Sequence, residues 1–453
     1  VRLPSISRRL TVLCSTLLLV AGLAVSQATT ATAADSLTPL GDVTGSGDIA
    51  VGGGKVFVAA SDRIVVADTN GTPTGAITGL NEAAALAITP DGDRLYAVLS
   101  GSNEVVEINV ETLGITRRID LSGYPCPASL ALNGDQLWVG YGCPYQLGSG
   151  FVGLDLSTSA PQPTPFRFSS HDAPLLAAAG DKLVVGVAGL VPSDLYVYDV
   201  NDGTPTLRGT INGSDHDVQG FLGDLAITSD GATFMTSFAG SDPFLAWDTT
   251  TLTKVRAYGD PDTFPGYAIS LALSPDGTHL AGTISPTGPV TVTLYDPATG
   301  QEGATYASTT GEEIKGSLAF SGTDLFSVMR DGRTGKLLLW RVHKATLPSS
   351  KLTLTGPLQP TKGDPITLTG QLTLSSGPGA GAQTLSVSRR PGSNRPVALP
   401  DVTTAADGTF TFSDTPPDAG PTTYQVTWDG GTTGRGSTAY KLVVVRSPST
   451  TGS

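Results

Sequence analysis

LAITPDGDRLYAVLSGSNEVVEINVETLGITRRIDL, residues 86–121, and LALSPDGTHLAGTISPTGPVTVTLYDPATGQEGATY, residues 271–306, are two copies of one phrase. An apolar run meets a Gly/Asp turn, a second apolar run follows, and after a polar loop a third apolar run ends in Asp or Asn. Weaker copies keep the order: IAVGGGKVFVAASDRIVVAD (49–68), LALNGDQLWVGYG (130–142), LAAAGDKLVVGVAG (176–189), LAITSDGATFMTSF (225–238) and LAFSGTDLFSVM (318–329). The third runs end at Asp68, Asn109, Asp155, Asp199, Asp248, Asp296 and Arg341, which are 41–49 residues apart. A period in the forties with four short strands is the signature of a β-propeller blade, so seven copies predict seven blades. One such sheet has two apolar faces and cannot cover both, and radial stacking until a ring closes solves this.

The seventh copy leaves through LWRVHKATLPSS (339–350) after its third strand, while LTPLGDVTG (37–45) precedes the first copy without belonging to it. Residues 37–45 are therefore expected to form the outermost strand of blade seven, and the propeller to span 37–345. TPDGDRLYAV (89–98), SNEVVEINVETL (102–113) and IDLSGYP (119–125) resemble the YVTN family of secreted propeller repeats. That resemblance implies a lactonase-like propeller fold in a family that includes cell-envelope proteins and relatives of 6-phosphogluconolactonase, and so spans binders and enzymes.

From Ser350 the texture changes. Seven alternating runs, KLTLTG, PITLTGQLTL, QTLSVSRR, RPVALPDV, GTFTFSD, TTYQVTWDG and AYKLVVVR, are separated by Gly, Pro and Asp turns. That number fits an immunoglobulin-like β-sandwich over 350–446. TAADGTFTFSD (404–414) followed by TYQVTWDG (423–430) resembles bacterial Ig-like modules. The expected fold class is all-β, a seven-bladed β-propeller followed by this sandwich, with 447–453 a disordered tail.

Arg2, Arg8 and Arg9 precede an apolar run from Leu10 to Val25, and Ala31-Thr32-Ala33 follows. This is the order of a secretory signal peptide over 1–33, too short in its apolar part for the ~20 residues of a membrane span. Ser7-Arg8-Arg9 leaves Sec and Tat export both open. A secreted protein with no membrane span after processing, released or associated with the cell wall, is the expectation. The 453 residues carry 56 Gly, 32 Pro and a net charge of -13, so turns are dense and a nucleic-acid partner is disfavoured by phosphate repulsion. The C-terminal region has eight basic against six acidic residues, which concentrates the acidity in the repeats. Cys126 and Cys143 remain after processing, flanking the first two strands of blade three. An even pair in an exported chain predicts a disulfide.

Loops from fourth to first strands, and from second to third, share one face around the channel, where ligands usually bind. Histidine-aspartate steps fall in two adjacent connections, His171-Asp172 and His216-Asp217, with Asp215 beside the second and Glu312-Glu313 elsewhere on the ring. Imidazole and carboxylate together hold divalent metal, and a carboxylate can orient and charge a histidine. The same pairs also make local turn hydrogen bonds, which is the simpler reading. Asp215 and Asp217 open like a calcium loop, but Ala226 stands where its closing Glu belongs. No cofactor is expected, a divalent cation being the one alternative the pattern leaves open. Trp138, Trp247, Trp340 and Trp428 lie within strand runs and read as core. Two functions follow: a non-catalytic, monomeric propeller binding a protein or cell-envelope polymer on its loop face, or a lactonase-like hydrolase or lyase at the channel mouth.

Overall fold

The recurring phrase has a local cause visible at each turn. In TPDG, SPDG and TSDG the Asp side chain accepts the amide two residues on, from Asp93, Thr278 and Ala232, while the preceding Thr or Ser hydroxyl donates to the same carboxylate. The following glycine takes a positive φ, +77° at Gly92, where a side chain would also strike the backbone of Gly53. At the end of the third strands, Asp68, Asp248 and Asp296 accept amides two to four residues ahead, closing the turn into the fourth strand.

The computed structural model describes residues 35–146, 148–167, 172–216, 220–239, 244–259, 266–286, 290–308, 310–377 and 381–448. The leader expected over 1–33 lies outside them, as do residues 449–453 of the expected tail. Seven four-stranded antiparallel sheets run along the chain, called here blades 1–7: 49–78, 83–120, 127–167, 175–211, 221–258, 266–308 and 312–342. The seventh takes its fourth strand from the other end of the chain. Ser36–Pro39 pairs antiparallel with the third strand, Leu337–Val342, placing Leu37 opposite Trp340. The strand is shorter than the span 37–45, because Gly41 and Gly45 adopt φ of +92° and +153° and turn the chain inward.

First strands of successive blades touch in order, and the first strand of blade 7 touches that of blade 1, which closes a ring. Seven apolar clusters fill the spaces between neighbouring blades. Phe57 and Val66 meet Leu95 and Val106 between blades 1 and 2, Trp138 and Phe151 meet Leu183 and Val185 between 3 and 4, and Val56 and Val58 meet Phe326 and Val328 between 1 and 7. Most second and third strands are thus buried on both faces, so runs such as VFVA and RIVVAD lack polar alternation. All four tryptophans are buried.

Beyond Val342, seven strands occupy the seven alternating runs. Ser350–Thr355, Ile366–Leu374 and Thr409–Asp414 form one sheet, and Val397–Thr403, Thr384–Pro391, Gly420–Gly430 and Arg435–Val445 form the other. Leu368, Leu372, Phe410, Leu385, Tyr424 and Val426 from the two sheets share one core. Cys126 and Cys143 form a disulfide with Cα atoms 5.0 Å apart, at the end of blade 3 where first and second strands begin and finish. Closing a loop of 17 residues, it contributes about 3 kcal/mol in the chain-entropy model. Among the described residues no helix is long and apolar enough to cross a membrane.

Candidate functional site

The first strand of each blade is the inner edge of its sheet, so its outward N–H and C=O groups face the next blade or the axis and need partners there. Side chains supply them from one recurring position, the residue immediately before the Leu-Ala or Ile-Ala of the phrase. It is Asp48 in blade 1, Ser129 in blade 3, Asp224 in blade 5 and Ser270 in blade 6, while in blade 7 the residue is Ser317, whose amide donates to Ser270. The Leu86 amide of blade 2 donates to Asp48 at 2.6 Å, and the Leu271 amide of blade 6 donates to Asp224 at 3.0 Å. Ser129 donates to Pro174 O at 2.6 Å, and Ser270 to Ile314 O at 3.0 Å. A register shift just before this position in blades 2, 3, 5 and 6 sets the angle.

These stitches put charge at the axis. Lys315 of blade 7 reaches across to donate to Leu222 O of blade 5 at 3.0 Å, and the first strands of those two blades also touch. Burial raises the Asp48 pKa to about 7, opposed by the Leu86 and Ile49 amides and reinforced by Asp224. Burial likewise raises Asp224 to about 6, against the pull of the Leu271 and Leu225 amides and of Lys315. Glu313 is pushed well above the carboxylate range by burial, with the Ser270 hydroxyl opposing and Asp224 adding. Burial depresses Lys315, which Asp224 and Asp172 partly restore. Water still reaches Lys315, which is exposed along the wall. The inner edges of the closed ring thus bound a polar shaft that solvent reaches at Lys315.

At one mouth of the shaft, apolar side chains stand in solvent. Tyr145 is 90% exposed and Tyr267 63%, with Leu190, Val191 and Phe221 also exposed. All five lie at the same end of blades 3–6, in loops between second and third strands or at the start of first strands. Hydrogen bonds join this rim to the shaft. The Tyr145 amide donates to Asp172 at 3.2 Å, whose carboxylate lies so close to Gly189 that any side chain there would collide with it. Ser193 donates to Leu190 O and accepts the Leu222 amide, and Leu222 O accepts Lys315.

Of the residues singled out from sequence, Asp172 and Glu313 fall in this region, both close enough to the Lys315–Asp224 group to influence it. Glu312, the neighbour of Glu313, points the other way and is exposed opposite Arg330. His216 lies in a short 3-10 turn, Gly213–His216, with its ring edge-on to Trp247 at 5.4 Å. Asp215 accepts Asn212 Nδ2 at 3.1 Å within the same turn. His171 and Asp217 lie outside the described residues, and among the described residues no three His, Cys, Asp or Glu converge as metal ligands. Asp48, Asp224 and Lys315 were not singled out. Their signal was in the repeat: Gly-Asp precedes Ile-Ala at 47–50 and Leu-Ala at 223–226, at the position serine fills in three other blades.

Chains of known structure share the architecture. Kuenenia stuttgartiensis hydrazine synthase matches with a TM-score of 0.53 and 16% identity over 67% of this chain and 97% of that one. The β-propeller domain of Myceliophteria thermophila Cps50 (Swd1) matches with a TM-score of 0.50 and 12% identity, over 66% and 96%. At such identities the likeness carries the fold alone: an all-β chain with a β-propeller. No protein-family model and no curated protein matches the sequence.

Proposed function

We propose that this chain is an exported, non-catalytic β-propeller that binds a protein or cell-envelope polymer on its loop face, over the mouth of the axial shaft. The observation that carries the reading is the rim of Tyr145, Leu190, Val191, Phe221 and Tyr267, exposed together at one end of the ring. Apolar side chains scattered singly over a surface need no explanation, whereas a set gathered at one end around a polar opening is the anatomy of a contact site. Export rests on the leader read in residues 1–33, and the YVTN-like phrases agree with it. The C-terminal module, with sheets of three and four strands around one core, is read as an Ig-like sandwich that spaces the propeller or attaches it to the wall.

Immobilised protein exposed to envelope and soluble fractions of the producing cells tests this. Changing Tyr145, Phe221 and Tyr267 together to Ser alters only exposed positions and leaves the fold intact. We expect about a tenfold loss of the captured component. Equal capture by the triple variant would remove the loop face as the binding surface.

A further inference from the structure

We propose that the axial shaft is a socket for one basic side chain, the ammonium or guanidinium head of a lysine or arginine presented by the protein seated on the apolar rim; this rests on the loop-face reading above. The wall holds a carboxyl that the described residues leave unsatisfied. Among the described residues neither carboxyl oxygen of Glu313, both buried, has a hydrogen-bond partner, the nearby Ser270 hydroxyl being spent on Ile314 O. A buried carboxyl left unpaired is costly, and an incoming N–H donor relieves that cost.

Charge points the same way. Asp224 and Asp172 attract Lys315, whose hydrogen bond goes to Leu222 O, while Asp48 and Glu313 lie close enough to Asp224 to feel its charge. Among the described residues no cation acts on Glu313. The described carboxylates do not converge as metal ligands, so the fitting cation is one that brings its own donors. A long aliphatic stem crossing the rim of Tyr145, Phe221 and Tyr267 keeps apolar contact while its head descends. Burial favours the protonated form of Glu313 and an entering cation favours its carboxylate, so binding moves a proton toward solvent as the ligand's charge takes its place. Binding therefore releases a proton and strengthens as pH rises, beside Asp48, Asp224, Asp172 and Lys315.

The experiment is calorimetry of the full chain with three blocked pentapeptides, each with one variable residue between Phe and Leu: lysine, arginine or acetyl-lysine. We expect lysine or arginine, whichever head fits, to bind at least about tenfold more tightly than acetyl-lysine, with heats that vary with buffer ionisation as proton release requires. Glu313→Gln should abolish both the preference and the proton release, with its melting temperature showing that it folds. Equal binding of the acetylated peptide, no binding of any peptide, or an unchanged Glu313→Gln would each overturn the socket. In those cases, envelope capture that still depends on Tyr145, Phe221 and Tyr267 keeps the loop-face reading, and its loss would remove that reading as well.

Discussion

Asp48 shows how one side chain serves two demands. Its carboxyl accepts the Leu86 amide and so ties blade 1 to blade 2, yet the protein around it raises its pKa to about 7. Between about pH 4 and 7 the folded chain holds a proton that the unfolded chain has released, so this group makes stability fall as pH rises across that window. Asn retains the acceptor and cannot ionise. Asp48→Asn should therefore flatten the pH profile, with wild-type Tm falling at least ~3 °C more than the variant's between pH 5 and 8. Parallel profiles in thermal melts would show that burial does not hold the proton. His216 illustrates the opposite case: a residue type suggestive of chemistry is packed against Trp247, in a turn where Asp215 accepts from Asn212.

At the scale of elements, the strands were the most legible feature because each turn carries its own chemistry. The TPDG-type turns and the Asp that ends a third strand act within five residues of sequence, so they can be read without knowing the fold. The closing strand is less local. LTPLGDVTG marks an apolar leftover, but only pairing with Leu337–Val342 places the strand at Ser36–Pro39, beginning one residue before the expected span and ending at the turn toward Gly41. Deleting residues 36–39 leaves the third strand of blade 7 as a bare edge over a buried layer containing Leu339 and Trp340. We expect a Tm lower by at least ~5 °C and concentration-dependent association, measured by calorimetry and light scattering. A monomer melting at the wild-type temperature would show that the ring does not depend on this clasp.

Across the whole molecule, the clasp and the C-terminal module are tied by one residue. Arg435 donates to both carboxyl oxygens of Asp35 at 2.8 and 2.7 Å and lies 4.6 Å from the ring centre of Tyr306 in blade 6, while its amide donates to Pro348 O. Tyr306 in turn donates to Ala345 O. Arg435→Ala should free the connection at 343–350, speeding limited proteolysis there about tenfold while the propeller's own melting transition stays in place. Cleavage at the wild-type rate would mean that apolar contact alone holds the joint. Sequence by itself determined the number of repeats, the strands and turns within them, the change of texture at Ser350 and the cysteine pairing, because each depends on local periodicity or on neighbouring strand ends. Only the tertiary structure decided that Asp48, Asp224, Glu313 and Lys315, as much as 267 residues apart, face one axis, while Glu312 and His216 turn away. Closing a ring brings equivalent positions of distant repeats together, and the burial that makes those carboxyls hold protons exists only once it has closed.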